Sequence, residues 1–286
     1  MTCEELWGEQ GLRGFLQRFG IRPDEKSGQH FLHDPSVLHR ITNAGGSSDG
    51  AVEIGSGVGN LTCLLANRHE DLWAIEIDER FQAPFQENLS GQPHVEFICR
   101  NYLELNIAEL ALPERRETTL YGNIPYHLTS PILRKAMNEH RFFDQAILTL
   151  QREVARKVLA EPGTREVTPL TFLTYCYADS SLVTEIEPES FYPAPEVASS
   201  AVKFSFLETP RISTDRDLFF KVVRAVFKYR RKTIRNALKE APELNLSPKR
   251  VDSILSTSDV SRNARPEQLD FTDFRSLTLS LRRLVE

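Results

Sequence analysis

The sequence predicts an α/β protein with a mainly parallel sheet, followed by a small all-α C-terminal domain. Three observations carry this expectation. Strand-like apolar runs alternate with helix-like segments from about residue 50 to about residue 205, the pattern of successive βαβ units. Glycines 55, 57 and 59 join the first of those strands to the helix-like segment after it. Beyond about residue 208 the strand pattern stops and the remainder reads as helix. With 286 residues, 40% of them hydrophobic and 26% charged, the chain can bury a substantial core and has an ordinary globular composition. No apolar run approaches the roughly 20 residues that span a bilayer, so no membrane segment is expected.

The elements follow in order. Residues 1–25 read as a short helical arm ending at Gly20-Ile21-Arg22-Pro23. Its three Glu in the first nine residues and lack of an apolar stretch suggest no targeting segment, so a cytoplasmic location is expected. Asp34 can cap the next helix, with Pro35 at its first position. The strands are AVEIG (51–55), LWAIEID (72–78), HVEFICR (94–100), TTLYGN (118–123), QAILTL (145–150) and SLVTEIEP (181–188). Between them LTCLLANR, FQAPFQENL and QREVARKVLAE read as helices. The polar stretch ETPRISTDRD (208–217) reads as a link. It divides a catalytic domain over 1–209 from a helical domain over 210–286. That second domain opens on LFFKVVRAVFKYRRKTIRNALKE (218–240), read as one helix. The four cysteines, Cys3, Cys63, Cys99 and Cys176, form no C-x-x-C pair and read as buried reduced thiols. No metal site is expected.

The first chemical signal is Glu53-Ile54-Gly55-Ser56-Gly57-Val58-Gly59. Glycines after a strand let the backbone turn tightly and approach a ligand held near a helix N-terminus. Glu76 ends the next strand, 21 residues after Gly55, where a carboxylate can accept from ribose hydroxyls. This fits a dinucleotide or S-adenosylmethionine. The dinucleotide fingerprint needs glycine at 60, where this chain has Asn60. The spacing G-x-G-x-G, with an acid two residues before, resembles the Rossmann-like S-adenosylmethionine-dependent methyltransferases, and NAD is the weaker reading.

The second signal is Asn123-Ile124-Pro125-Tyr126, closing the strand TTLYGN. Ligands of open α/β sheets sit beyond the carboxyl ends of the strands, so this corner can hold a methyl acceptor. The exocyclic amine of adenine is a poor nucleophile, because its lone pair is delocalised into the ring. Acceptors on its N–H groups, the Asn123 side-chain oxygen and the Ile124 carbonyl, favour a tetrahedral, nucleophilic nitrogen. Tyr126 can stack on an extruded base, and Pro125 fixes the corner that aims both.

Several stretches in order resemble the small-subunit ribosomal RNA adenine N6,N6-dimethyltransferases over most of the chain. They are GQHFL (28–32), EIGSGVGNLT (53–62), AIEID (74–78), NIPY (123–126), FYPAP (191–195) and FKYRRKTIRNALK (227–239). The resemblance implies S-adenosylmethionine as methyl donor and dimethylation of two adjacent adenines in a hairpin near the 3′ end of 16S rRNA. It implies that His30 and Leu32 cover the donor's methionine end and that Gly55, with Gly57 beside it, lies under the donor. It places Glu76 on the ribose, Asn101 on the donor's adenine, and Asn123 and Tyr126 on the target adenine, with Phe191 against that base's other face. Asn123 thereby stands at the boundary of the donor and acceptor sites. The chain departs from the family pattern in three places. Asn101 stands where Asp is usual, Val167–Thr171 replaces a Y-G-x-L-S-like loop, and Glu196 and Ala198 replace a basic and an acidic residue.

The net charge of −5 and pI of about 5.9 argue against general nucleic-acid affinity. Yet eight cations and no acid lie between Leu218 and Lys239, including Lys228, Arg230, Arg231, Lys232 and Arg235. Phe220, Val223, Phe227, Ile234 and Leu238 fall at helical spacing beside them, so a basic stripe facing RNA phosphates is expected. The expected partner is small-subunit rRNA within a pre-ribosomal particle, engaged by a monomer. Two alternatives stand: a non-catalytic rRNA-binding assembly factor, and a large-subunit rRNA adenine methyltransferase.

Overall fold

The computed structural model describes residues 6–110, 112, 117–212 and 215–284, and the chain forms two compact units. The first runs to Ala155 and resumes over Ala178–Glu208. The second comprises Arg156–Tyr177 and the chain from Thr209 onward.

In the first unit α1 (Glu9–Arg18) precedes the two-residue strand β1 (Phe31–Leu32) and α2 (Pro35–Gly45). Asp34 caps α2, its Oδ1 accepting from the Ser36 N–H at 2.9 Å, with Pro35 in the first turn. Next come β2 (Ser48–Ile54), α3 (Thr62–Leu65), β3 (His69–Glu76), α4 (Gln82–Asn88), β4 (Val95–Cys99) and β5 (Thr118–Asn123). They are followed by α5 (Thr129–Asn138), β6 (Gln145–Gln151) and α6 (Arg152–Leu159), whose later turns belong to the second unit. After α7 (Pro169–Tyr177), the first unit closes with β7 (Ala178–Ile186), β8 (Phe191–Tyr192) and β9 (Ser199–Phe206).

The main sheet has the order β4-β3-β2-β5-β6-β9-β7. Its first five strands are parallel, while β9 runs antiparallel to both β6 and β7. The six expected strands are all present. The β9 strand, SSAVKFSF, was not among them; it inserts between β6 and β7, with Ala201, Val202 and Phe204 fully buried. Parallel strands read as continuous apolar runs because both faces are covered, and Ala51–Ile54 and Leu72–Ile75 are buried without alternation. β1 and β8 form a separate small ribbon, pairing Phe31 with Tyr192 and Leu32 with Phe191.

The second unit contains α8 (Arg216–Phe227), α9 (Ile234–Glu240), α10 (Pro248–Ser258) and α11 (Phe271–Arg283), together with α7. Two expectations are amended here. The division at 209/210 misses the return of residues 156–177 to the helical unit. Phe172 causes it, fully buried in contact with the rings of Phe219, Phe227 and Phe274. The segment 218–240 is also two helices, not one. Turns over Lys228–Lys232 end α8, and the Thr233 side chain, in extended backbone, caps α9.

The cysteines differ from the expected buried thiols. Cys176 is free and buried, Cys99 is free but exposed, Cys63 is disulfide-bonded, and Cys3 lies outside the described residues. Among the described residues no helix is long and apolar enough to cross a membrane, and no cluster of His, Cys, Asp and Glu could hold a metal ion.

Candidate active site

The carboxyl ends of β2, β3, β4 and β5 open onto a cavity of about 290 Å³. Gly55 and Gly57, at φ +72° and +54°, carry the chain from β2 across its floor. That backbone is strained for any residue with a side chain. At Gly57 an added Cβ would also lie 2.8 Å from the Phe31 ring.

Glu76, at the end of β3, is 7% exposed. Its Oε2 accepts from the Gly57 N–H at 2.9 Å, and its Oε1 accepts from Ile77 and Asp78 at 2.8 and 3.0 Å. These bonds pin the carboxylate to the glycine turn. They fill three of its roughly four lone-pair sites, so the open acceptor is on Oε2. Burial raises its pKa against those three donors. Deeper still, Glu53 takes a 2.6 Å bond from the Thr62 hydroxyl, and burial pushes its carboxyl up to about 8.

The corner at the end of β5, expected to hold the methyl acceptor, is built from three segments. The Asn123 amide donates to the His30 carbonyl at 2.7 Å. That bond settles the amide's orientation and leaves Oδ1 as the acceptor. The His30 ring has Nδ1 2.8 Å from the Pro193 carbonyl, so Nδ1 carries the proton there. Tyr126 shares a 2.7 Å hydrogen bond with the Ser199 hydroxyl, and its ring lies 5.9 Å from that of His30 at 22°.

The cavity wall includes His30, Gly55, Gly57, Glu76, Asn101 and Asn123. It does not include Leu32, Tyr126 or Phe191. Leu32 and Phe191 face each other across β1 and β8, are 4% and 3% exposed, and pack in the core. The expected donor contact of Leu32 and base contact of Phe191 therefore do not appear as exposed surfaces: alternation along two short paired strands turns both inward. Tyr126 stands half-buried behind the wall, with Pro125 and His127 lining it instead.

Asn101 is tied up locally. Its Oδ1 accepts from the Leu103 N–H at 3.0 Å and its Nδ2 donates to Glu104 at 2.9 Å. Missed in the sequence were Ile77, Tyr102 and Leu103 on the same wall. Ile77 is 67% exposed; a large aliphatic residue placed just after the strand-ending Glu76 was the available signal.

The basic segment is not an open stripe. Lys228 pairs with Glu243, Arg230 with Glu267 at 2.6 Å, Lys232 with Glu240, and Arg235 with Asp252 at 2.7 Å. The acids lie just beyond the sequence window or on later elements that folding brings back. Arg231 is exposed and carries no such pair among the described residues.

Comparison with known proteins adds the following. Residues 22–281 match the family described as ribosomal RNA adenine dimethylase. The chain is 31% identical over 272 residues to ribosomal RNA small subunit methyltransferase A of Alkaliphilus oremlandii, covering 93% of this chain and 94% of that one. It is 32% identical to the protein of that name from Geobacillus thermodenitrificans, covering 93% of each. Among solved structures, a dimethyladenosine transferase from Plasmodium falciparum superposes with a TM-score of 0.77 at 26% identity, covering 89% of this chain and 98% of that one. The 23S rRNA methyltransferase ErmE, at 24% identity and a TM-score of 0.66, shares the fold. The glycine turn, the pinned Glu76 and the NIPY corner thus sit in a chain that belongs to the ribosomal RNA adenine dimethylase family.

Proposed function

We propose that this chain dimethylates the exocyclic amines of two adjacent adenines in a hairpin near the 3′ end of 16S rRNA, with S-adenosylmethionine as donor. It acts as a cytoplasmic monomer on a pre-ribosomal particle. The observation that carries the reading is Asn123, whose amide is held by the His30 carbonyl so that Oδ1 is left to accept from an amine.

The residues present fit the donor. Gly55 leaves the floor without a side chain, Glu76 keeps an open acceptor, and Ile77 and Leu103 offer apolar surface to an adenine. S-adenosylmethionine, when bound, supplies an electrophilic methyl group. The chain's own work is positioning and electrostatics. Asn123 Oδ1 and the Ile124 carbonyl accept the amine's N–H groups and localise its lone pair. Tyr126, its hydroxyl anchored on Ser199, presents a ring to the base. Phe191 takes the other face only if the β1–β8 ribbon opens.

In the helical unit, Arg231 meets phosphate directly, and Lys228, Arg230, Lys232 and Arg235 exchange carboxylate for phosphate. Exposed ion pairs contribute only about 0–1 kcal/mol, so a polyanion can displace them.

Mass analysis of small- and large-subunit rRNA from cells with and without the chain tests the reading. Dimethyladenine should disappear with the chain. A loss confined to large-subunit rRNA would favour that substrate, and no loss in either would leave an assembly factor. Asn123→Ala should lower methyl transfer at least 100-fold, about 3 kcal/mol, with calorimetric donor affinity nearly unchanged. Equal loss of both would move Asn123 from acceptor to donor.

A further inference from the structure

A second pocket, of about 590 Å³ and open to solvent, lies on the outer side of α5. Leu103 forms part of its wall and also part of the donor cavity's wall. Ser130, Arg134 and Asn138 line it, four residues apart and so on one helix face, all exposed. The opposite face of the same helix carries Ile132, which lines the donor cavity.

The pocket's charges are unequal in availability. Lys135 is 17% exposed and committed: its ammonium donates to Glu139 at 2.6 Å and to the Leu105 carbonyl at 2.7 Å. Glu139 in turn accepts from the Tyr102 hydroxyl at 3.3 Å. This internal pair cancels. Arg134 has no hydrogen bond or ion pair among the described residues, so the pocket presents one uncompensated guanidinium between a hydroxyl and an amide. Such a set suits a phosphodiester, which accepts in several directions and is matched by the guanidinium fork.

Its place in the chain says which phosphodiester. α5 begins six residues after Asn123, and Leu128, just before it, lines the donor cavity. Leu103 joins the two pockets, so a strand with its base at Asn123 can run its backbone from the cavity mouth onto the solvent face of α5. We propose that Arg134, with Ser130 and Asn138, forms a subsite for an rRNA backbone phosphate flanking the target adenines. This rests on the functional reading above.

The test uses the full chain and small-subunit particles lacking the methyl groups, with binding measured by filter retention across a salt series. Arg134→Gln should weaken particle binding roughly tenfold, the effect of one charge-assisted hydrogen bond. The log–log salt slope should flatten by about 0.7–0.9. Arg134→Lys should restore the slope, and calorimetric S-adenosylmethionine affinity should be unchanged in both. Unchanged particle affinity and slope in Arg134→Gln would overturn the subsite, as would lost donor affinity, which would make Arg134 part of the donor wall. Failure of the wild-type chain to methylate these particles would instead overturn the functional reading.

Discussion

Asn101, on the cavity wall and proposed to meet the donor's adenine, shows what a single amide can change. A carboxylate there would make a charge-assisted bond to an adenine amine, stronger than a neutral one by roughly 1 kcal/mol or more. In this chain, however, Asn101 Nδ2 donates to Glu104 at 2.9 Å. Asp at that position would lose the bond and face a like charge. Asn101→Asp alone is therefore expected to leave donor affinity unchanged or weaker. Asn101→Asp with Glu104→Gln, which restores a donor opposite the new carboxylate, should tighten it by up to about tenfold. Titration calorimetry on the two variants decides this. Tighter binding by the single variant would mean that Glu104 swings clear at no cost.

At the scale of elements, the turn between α8 and α9 and the return of α7 each make a prediction. Arg231 is unpaired among the described residues while Arg235 is held by Asp252, with both Nε and Nη2 donating. Losing Arg231 removes a free cation, whereas losing Arg235 also frees a carboxylate that was already compensating it. Arg231→Gln should flatten the salt slope of particle binding by about 0.7–0.9, and Arg235→Gln by clearly less. Equal slopes would show that the Asp252 carboxylate, once RNA displaces it from Arg235, takes up no counterion. For α7, Phe172→Ala removes a fully buried ring from the Phe219, Phe227 and Phe274 cluster. A cost of about 3–5 kcal/mol is expected. Hydrogen exchange should accelerate in α8 and α11 more than in β2 and β5. Uniform acceleration would contradict the assignment of residues 156–177 to the helical unit.

For the whole molecule, buried titratable groups set opposing pH limits. Glu53 is 2% exposed, and burial holds its carboxyl at about 8 in the folded state, with the nearby Glu76 charge adding to the rise. The folded chain thus binds a proton there that the unfolded chain has released, so this stabilisation is full below about 4.5 and is lost as pH rises through about 8. His33 and His69 work the other way. Burial lowers both; their contribution is full above about 6.5 and is lost as pH falls below that value. His69, the first residue of β3, is held between the Ser48 hydroxyl at 3.0 Å and the Tyr121 hydroxyl at 3.3 Å. Melting temperature should therefore fall on both sides of a near-neutral maximum. Glu53→Gln, which can still accept from Thr62, should flatten the decline between pH 6 and 8. An unaltered alkaline decline would place its origin elsewhere.

The sequence alone determined the order of the parallel strands' appearance, the glycine turn, the acid at the end of β3 and the NIPY corner. Each is a local signature: apolar runs, positions that need positive φ, and side chains within a few residues of one strand end. Tertiary structure decided what depends on partners distant in the chain. Asn123 acquires its fixed amide from His30, 93 residues away. Four cations of the basic segment, Lys228, Arg230, Lys232 and Arg235, are paired with Glu243, Glu267, Glu240 and Asp252, none of them within the stretch that looked uniformly basic. Leu32 and Phe191 turn inward because they meet across a ribbon whose strands lie far apart in sequence. Hydrogen bonds, ion pairs and burial are pairwise, and a sequence displays one member of each pair at a time.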